Sequence, residues 1–173
     1  MIWFEELQTR KKLSKIFYVY QKTFPENERR NKEQFLALAD HPDAFVYSIH
    51  QENLNIGYAV IWELSDFFFL EHFEIFEDFR HQKWGQATLE ALKEKFERIL
   101  LETEPKTISE IAEHRIHFYE KNGFEIIENN YVQPSYEKEK PSIPLLLMGN
   151  FYPIHVKIAI QEIYKKVYET ASE

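Results

Sequence analysis

The 173-residue chain has no cysteine and only four glycines. Without cysteine it can form no disulfide, no thiolate zinc site and no covalent intermediate on a thiol. Its apolar runs, Phe67-Phe68-Phe69-Leu70 among them, are far too short to cross a bilayer. Basic residues are the minority: 21 Lys and Arg against 29 Asp and Glu give a net charge of −8. Nucleic-acid binding rests on neutralising phosphates with Lys and Arg, so that balance argues against a nucleic-acid partner. It is compatible with a cationic ligand, although a net charge says little about one pocket. Met1 is followed directly by Ile2-Trp3-Phe4-Glu5-Glu6, with neither a basic segment nor a small-residue cleavage site. No signal peptide and a cytoplasmic protein are therefore expected. What the chain does have is apolar mass. It is 44% hydrophobic and 16% aromatic, enough for a single domain over residues 1–173 with a proper core.

The most informative stretch runs from Phe69 through Glu71, His72 and Arg80 to Gln82-Lys83-Trp84-Gly85-Gln86-Ala87. It reads as an apolar strand, a short loop and then the start of a helix. That order builds an anion site, because the first N–H groups of a helix have no intrahelical partner and the macrodipole adds partial positive charge there. A pyrophosphate fits such a site well. Further along, Phe118-Tyr119-Glu120-Lys121-Asn122-Gly123-Phe124 reads as a helix closed by a glycine cap, with an apolar residue leading into a strand.

Gln82-x-x-Gly85-x-Ala87 resembles the Arg/Gln-x-x-Gly-x-Gly/Ala signature of the GNAT superfamily of acyl-CoA-dependent N-acetyltransferases. Phe118-Tyr119-x-x-x-Gly123-Phe124 is similar to that superfamily's C-terminal motif, in the right order and at a suitable separation. The glycines agree, since Gly57, Gly85 and Gly123 fall where such a domain has them. The resemblance is strongest over 70–124 and extends more loosely over most of the chain. It implies an α/β (α+β) fold with a mixed, mostly antiparallel central sheet, a splayed pair of central strands and helices on both faces. It implies acetyl-CoA as acyl donor and no metal. The donor's pyrophosphate would lie on the loop amides of Gln82, Lys83, Trp84, Gly85, Gln86 and Ala87, and its pantetheine arm along backbone groups of Phe73 and Ile75. His81 and Lys83 stand where many members have glycine, a residue needed only where φ is positive or the backbone approaches closely. Ala112 stands where many members carry an asparagine that helps hold the cofactor.

Periodicity supplies the rest of the outline. Strands are expected at 2–7, 44–50, 56–64, 67–76, 99–104, 124–132 and 143–148. Helices are expected from Leu13 to Phe24 before Pro25, at 31–39, from Gly85, at 109–122 and at about 153–170. The aromatic strand 67–76 is expected to be central, and two helical crossovers between 85 and 122 fit a mixed sheet with helices on both faces.

Amide formation from a thioester needs a deprotonated amine, a stabilised oxyanion and a proton for the departing thiolate. With no cysteine to carry it, the acetyl group would pass directly from donor to acceptor. The resemblance places Tyr119 near the thioester sulfur. A tyrosine is protonated at neutral pH, with a reference pKa of about 10, and can donate there; packing beside Phe118 is the other reading. Glu71, a carboxylate inside an aromatic strand, is the first candidate base, with burial raising its pKa. The alternative is an ion pair with a cation such as Arg115. Glu74, at opposite parity, is expected on the other face. Glu102 and Glu104 share a parity and are candidates for the acceptor pocket or for a water-mediated base. Tyr131, Tyr136 and Gln133-Pro134 are further candidates for that pocket. His72 is a possible second base. His114-x-x-His117 lacks a third ligand at suggestive spacing for a metal, and Arg29-Arg30 reads as a solvated pair. A small primary amine is the expected partner of a monomer or homodimer. A catalytically weak acyl-CoA sensor and a protein or peptide acetyltransferase are the alternatives.

Overall fold

The computed structural model describes residues 1–169. Seven strands form one sheet, β1 (Ile2–Glu6), β2 (Ala44–Gln51), β3 (Leu54–Glu63), β4 (Phe68–Ile75), β5 (Ile99–Thr103), β6 (Glu125–Gln133) and β7 (Ile143–Gly149), in the order β1-β2-β3-β4-β5-β7-β6. All neighbours are antiparallel except β4 and β5. The aromatic strand is therefore the fourth of seven.

Five helices cover the sheet: α1 (Arg10–Thr23), α2 (Lys32–Leu36), α3 (Trp84–Phe96), α4 (Glu110–Lys121) and α5 (Val156–Val167). Local chemistry sets their ends. Thr9 caps α1 by accepting from the Lys12 amide, and Pro25 follows its last turn. Asn31 and Gln34 form a reciprocal capping box on α2, which runs on as a 3-10 turn to Asp40. Ser109 caps α4, and Gly123, at φ +85°, turns the chain out of it into β6. The C-terminal helix is shorter than expected, and residue 170 lies outside the described residues.

Leu13, Phe17 and Tyr20 of α1, Phe35 of α2 and Ile163 and Val167 of α5 pack on one face of the sheet. Leu89, Leu92 and Phe96 of α3 and Ile116 and Tyr119 of α4 pack on the other. Two irregularities in β4 position everything that follows. First, β4 and β5 pair only at Phe68↔Ile99, Phe69↔Leu100 and Leu70↔Leu101. Beyond Leu70 the two strands splay, and the β5-facing edge of β4 from 71 to 75 lines a cleft. Second, the β3–β4 register steps from Ile61↔Leu70 to Val60↔His72, so Glu71 is the extra residue of a β-bulge. The bulge resets side-chain parity. Glu71, His72 and Glu74 all face α1, while Phe73 and Ile75 pack toward α3 and α4. The expectation that Glu74 lies opposite Glu71 is corrected by that one residue.

Candidate active site

The loop before α3 is short and strained. His81 and Lys83 adopt φ +62° and +64°, the left-handed region that costs an L-residue roughly 1–2 kcal/mol. These are the two positions where many members of the resembled family have glycine, and the positive φ is a conformation glycine adopts without that cost. Lys83 occupies the N-cap position of α3, and no side chain among the described residues caps the helix. The Ala87 amide is already bonded to the Lys83 carbonyl at 3.1 Å. The amides left for an anion are those of Trp84, Gly85 and Gln86, which removes Ala87 from the expected set. Gln82 reaches back to the Asp78 carbonyl, and the Trp84 indole donates to Gln82. A 310 Å³ hollow lined by Ile75, Arg80, Lys83, Gly85 and Gln86 opens at this helix end. A substituted Cβ at Gly85 would meet Phe118 Cζ at 3.5 Å and Ile75 Cγ1 at 3.9 Å, ordinary contacts, so packing does not require the glycine.

From that hollow a 600 Å³ cleft follows the open edge of β4, lined by Leu70, Phe73, Ile75, Gly85 and Tyr119. Tyr119 is buried, with its phenol pushed up by burial while Arg115 opposes the rise. Its hydroxyl forms no hydrogen bond with the described residues. Ala112 is fully buried and does not reach the cleft.

A second cavity of 220 Å³ adjoins the first at the splay. Thr23, Phe24, Glu71, His72, Glu102 and Arg115 line both, and Pro25, Glu28, Thr103, Glu104, Gln133 and Leu145 complete the smaller one. The four residues proposed for an acceptor divide two and two. Glu102 and Glu104 line this cavity. Tyr131 lies behind it, donating to Glu102, and Tyr136 lies behind it too, donating to Glu71 at 2.8 Å. The two tyrosines support carboxylates and do not face the acceptor, which corrects their expected role. Gln133, from the same cluster, does line the cavity.

Glu71 is held more completely than a base should be. The Arg30 Nε donates to its Oε1 at 2.8 Å and the Trp62 indole to its Oε2 at 2.7 Å. Its side chain has no exposed area. Burial pushes its pKa up, but the Arg30 guanidinium, His72 and the Trp62 and Tyr136 hydrogen bonds outweigh burial and hold it below the usual carboxylate range. The expected rise of its pKa is therefore reversed, and its partner is Arg30 instead of Arg115. Arg30 also donates to the Val167 carbonyl at 2.8 Å and is itself buried, so the reading of it as solvated fails. The two residues are 41 positions apart, and no local signal connects them. His72 is bonded to the Tyr20 hydroxyl at 3.0 Å, and burial lowers its pKa to about 4, leaving it neutral.

Glu102 is the carboxyl with the opposite bias. Burial raises its pKa to about 8, against the Tyr131 and Tyr168 hydrogen bonds that lower it and with Glu71 and Glu28 adding to the rise. Tyr168, just past α5, donates to both of its oxygens at 2.7 and 2.8 Å. Its parity pointed to the cavity, but nothing in the sequence linked it to a tyrosine 66 residues away. His117 pairs with Glu113 and Glu120, and among the described residues no group of three His, Asp or Glu is placed to hold a metal. Among the described residues no helix is long and apolar enough to cross a membrane.

An acetyltransferase (GNAT) domain model matches residues 42–126. Among solved structures the chain is similar to a GNAT-family protein from Bacteroides thetaiotaomicron, at 26% identity and a TM-score of 0.86, over 96% of this chain and 98% of that one. It has the fold of the ribosomal-protein-S18-alanine N-acetyltransferase from Escherichia coli, at 19% identity and a TM-score of 0.62, over 86% and 92%. It also has that of Arabidopsis thaliana NAA60 in complex with acetyl-CoA, at 11% identity and a TM-score of 0.63, over 86% and 97%. No curated protein matches.

Proposed function

The chain carries a GNAT acetyltransferase domain, and from that premise we propose that it moves an acetyl group from acetyl-CoA directly to the primary amine of a small molecule. The observation that carries the proposal is the open edge of β4 over 71–75, which runs from the uncapped N-terminus of α3 to the buried phenol of Tyr119. An elongated donor with a phosphate end and a reactive thioester end matches that layout.

The amides of Trp84, Gly85 and Gln86 and the charges of Lys83 and Arg80 would hold the phosphates. The unpaired edge of β4 would take the amide-bearing arm as an added strand takes its neighbour and present a backbone N–H to the thioester oxygen. Acetyl-CoA supplies the activated acetyl group; the remaining work is proton management. Glu102 removes a proton from the acceptor ammonium, and its raised pKa makes it a stronger base than an ordinary carboxylate. Tyr119 carries a proton beside the cleft and delivers it to the departing sulfur. The C–N bond forms as the C–S bond breaks; the nitrogen gives up two protons, one to Glu102 before attack and one after it that restores Tyr119, whose own proton has gone to the sulfur. Glu71 positions: with Arg30, Trp62 and Tyr136 it fixes the bulge that opens the strand. The small volume of the acceptor cavity, 220 Å³, favours a small amine over a folded chain.

A thiol-release assay with acetyl-CoA against amine, polyamine, aminoglycoside and peptide panels tests the proposal. Release that depends on a small amine is expected. Release that depends only on peptides would shift the reading to protein modification.

A further inference from the structure

Arg80 is an exposed side chain that is nevertheless held in place. Its Nε donates to the Ile75 carbonyl at 3.0 Å, and its Nη2 meets Oε1 of Glu74 at 3.4 Å. Glu74 is itself fixed. The residue is 6% exposed, with Thr23 of α1 donating to Oε1 and Tyr58 of β3 donating to Oε2, each at 2.6 Å. The bulge at Glu71 is what turns Glu74 to this face. A free arginine loses much rotamer freedom when it binds a ligand, and a side chain already held is spared that loss. Arg80 lines both the hollow at the start of α3 and the cleft beside it. Lys83, the other Lys or Arg lining the hollow, makes no ion pair or side-chain hydrogen bond with the described residues.

By charge alone, Glu74 is misplaced. It lines the cleft, and a carboxylate near a phosphate site repels the phosphates. We infer that Glu74 is a positioning residue for the acyl donor, fixing the Arg80 guanidinium so that it binds the donor's pyrophosphate. The inference rests on the acetyltransferase reading and identifies what sets the phosphate affinity. The guanidinium is a rigid fork of N–H donors. Its Nε and Nη2 side is turned to Ile75 and Glu74, which leaves Nη1 for phosphate oxygens. Glu74 touches no reacting atom and takes no part in proton transfer. One carboxylate thus has two opposite effects, a repulsion that loosens phosphate binding and an orientation that tightens it. The guanidinium beside it and the two hydroxyls that donate to it offset its charge. The phosphates meet a nearly neutral pair, and orientation is the larger effect.

Calorimetric titration with coenzyme A, and kinetics with acetyl-CoA and the phosphate-free donor S-acetylpantetheine, test the inference. Glu74→Gln keeps the shape of the side chain and removes its charge. It should weaken coenzyme A binding and raise the KM for acetyl-CoA about tenfold, the scale of one charge-assisted hydrogen bond, with a smaller change in kcat. The loss should be several-fold smaller with S-acetylpantetheine, and an equal loss with both donors overturns the inference. A carboxylate acting only through its charge predicts the reverse sign, and tighter coenzyme A binding by Glu74→Gln likewise overturns it. Arg80→Ala should weaken binding about tenfold or more. In that background Glu74→Gln should cause no further loss, because the two act as a unit, and additive losses contradict the inference. Arg80 is exposed, so Arg80→Lys keeps the test open should Glu74→Gln fold poorly. Lysine retains the charge without the fork and should lose most of what alanine loses; affinity within about twofold of the unmodified protein would mean that charge alone suffices. Glu74→Gln should weaken 3′-dephospho-coenzyme A by the same factor as coenzyme A, and insensitivity there would move Arg80 to the 3′-phosphate and overturn the pyrophosphate assignment. Unmodified protein that binds no coenzyme A removes the acetyltransferase reading itself, whereas binding that no variant alters overturns the positioning role alone.

Discussion

Glu102 and Glu71 stand on the same cavity and differ in everything that matters to a base. Glu71 has a guanidinium, an indole and a phenol on its two oxygens, while Glu102 has only neutral phenols. The free enzyme should therefore show an acid limb in kcat/KM near pH 8, since Glu102, with its pKa raised to about 8, is protonated and inactive as a base below that pH. Glu102→Gln should lower turnover roughly a hundredfold or more and remove or move that limb; a limb that persists assigns the base elsewhere. Tyr119→Phe keeps the ring contacts and removes the proton, so kcat should fall more than acetyl-CoA affinity, and equal turnover would leave Tyr119 a packing residue. For the buried pair, Arg30→Met strands the Glu71 charge and should destabilise the fold by about 3–5 kcal/mol in urea unfolding. Arg30→Met together with Glu71→Leu should recover part of that loss. At this scale the sequence is informative about which residues are unusual and silent about why. A carboxylate among phenylalanines marks Glu71, but its partner comes from the segment between α1 and α2, and such pairing is not encoded in spacing.

Among the elements, the junction from β4 to α3 is both the most legible and the most constrained. Strand, loop and helix are written into its pattern, and its glycine-like positions prove to be left-handed although His81 and Lys83 fill them. Gly85→Asp tests the junction cleanly. The added Cβ meets only ordinary contacts with Phe118 and Ile75, so the unliganded protein should melt within a few degrees of the unmodified one. The carboxylate would then sit against the phosphates, and the stabilisation by acetyl-CoA should vanish. An intact stabilisation would move the phosphate site away from α3. Capping side chains set the helix starts, Thr9, Asn31 and Ser109 each bonding the amide its position calls for, but the apolar period alone placed the first helix from Leu13, past its true start at Arg10. The bulge at Glu71 was not readable, because alternation counts residues and a bulge inserts one without a local mark. That single insertion moved Glu74 to the face of Glu71 and bonded it to Thr23 and Tyr58.

Across the whole molecule, the splayed sheet and the two-sided helix cover follow from motifs far apart in the chain. The support of the site comes from pieces that no motif includes. Val167 and Tyr168, at the end of α5, hold Arg30 and Glu102 respectively, so the C-terminal helix braces both carboxylates across the sheet. Tyr131 and Tyr136 were visible as aromatics near the site, yet their hydroxyls face inward to carboxylates, an arrangement set by how β6 and the loop after it pack on the start of α2 and on α5. The measurement that reaches the centre of this reading is thermal unfolding of the unmodified protein with and without acetyl-CoA. A ligand bound only by the folded state, at about a hundred times its Kd, stabilises by about 2.7 kcal/mol, which corresponds to roughly 5–10 °C in a domain of this size. A rise of that order is the expected result, and an unchanged melting temperature at saturating acetyl-CoA would contradict the donor site, and with it the transfer reaction.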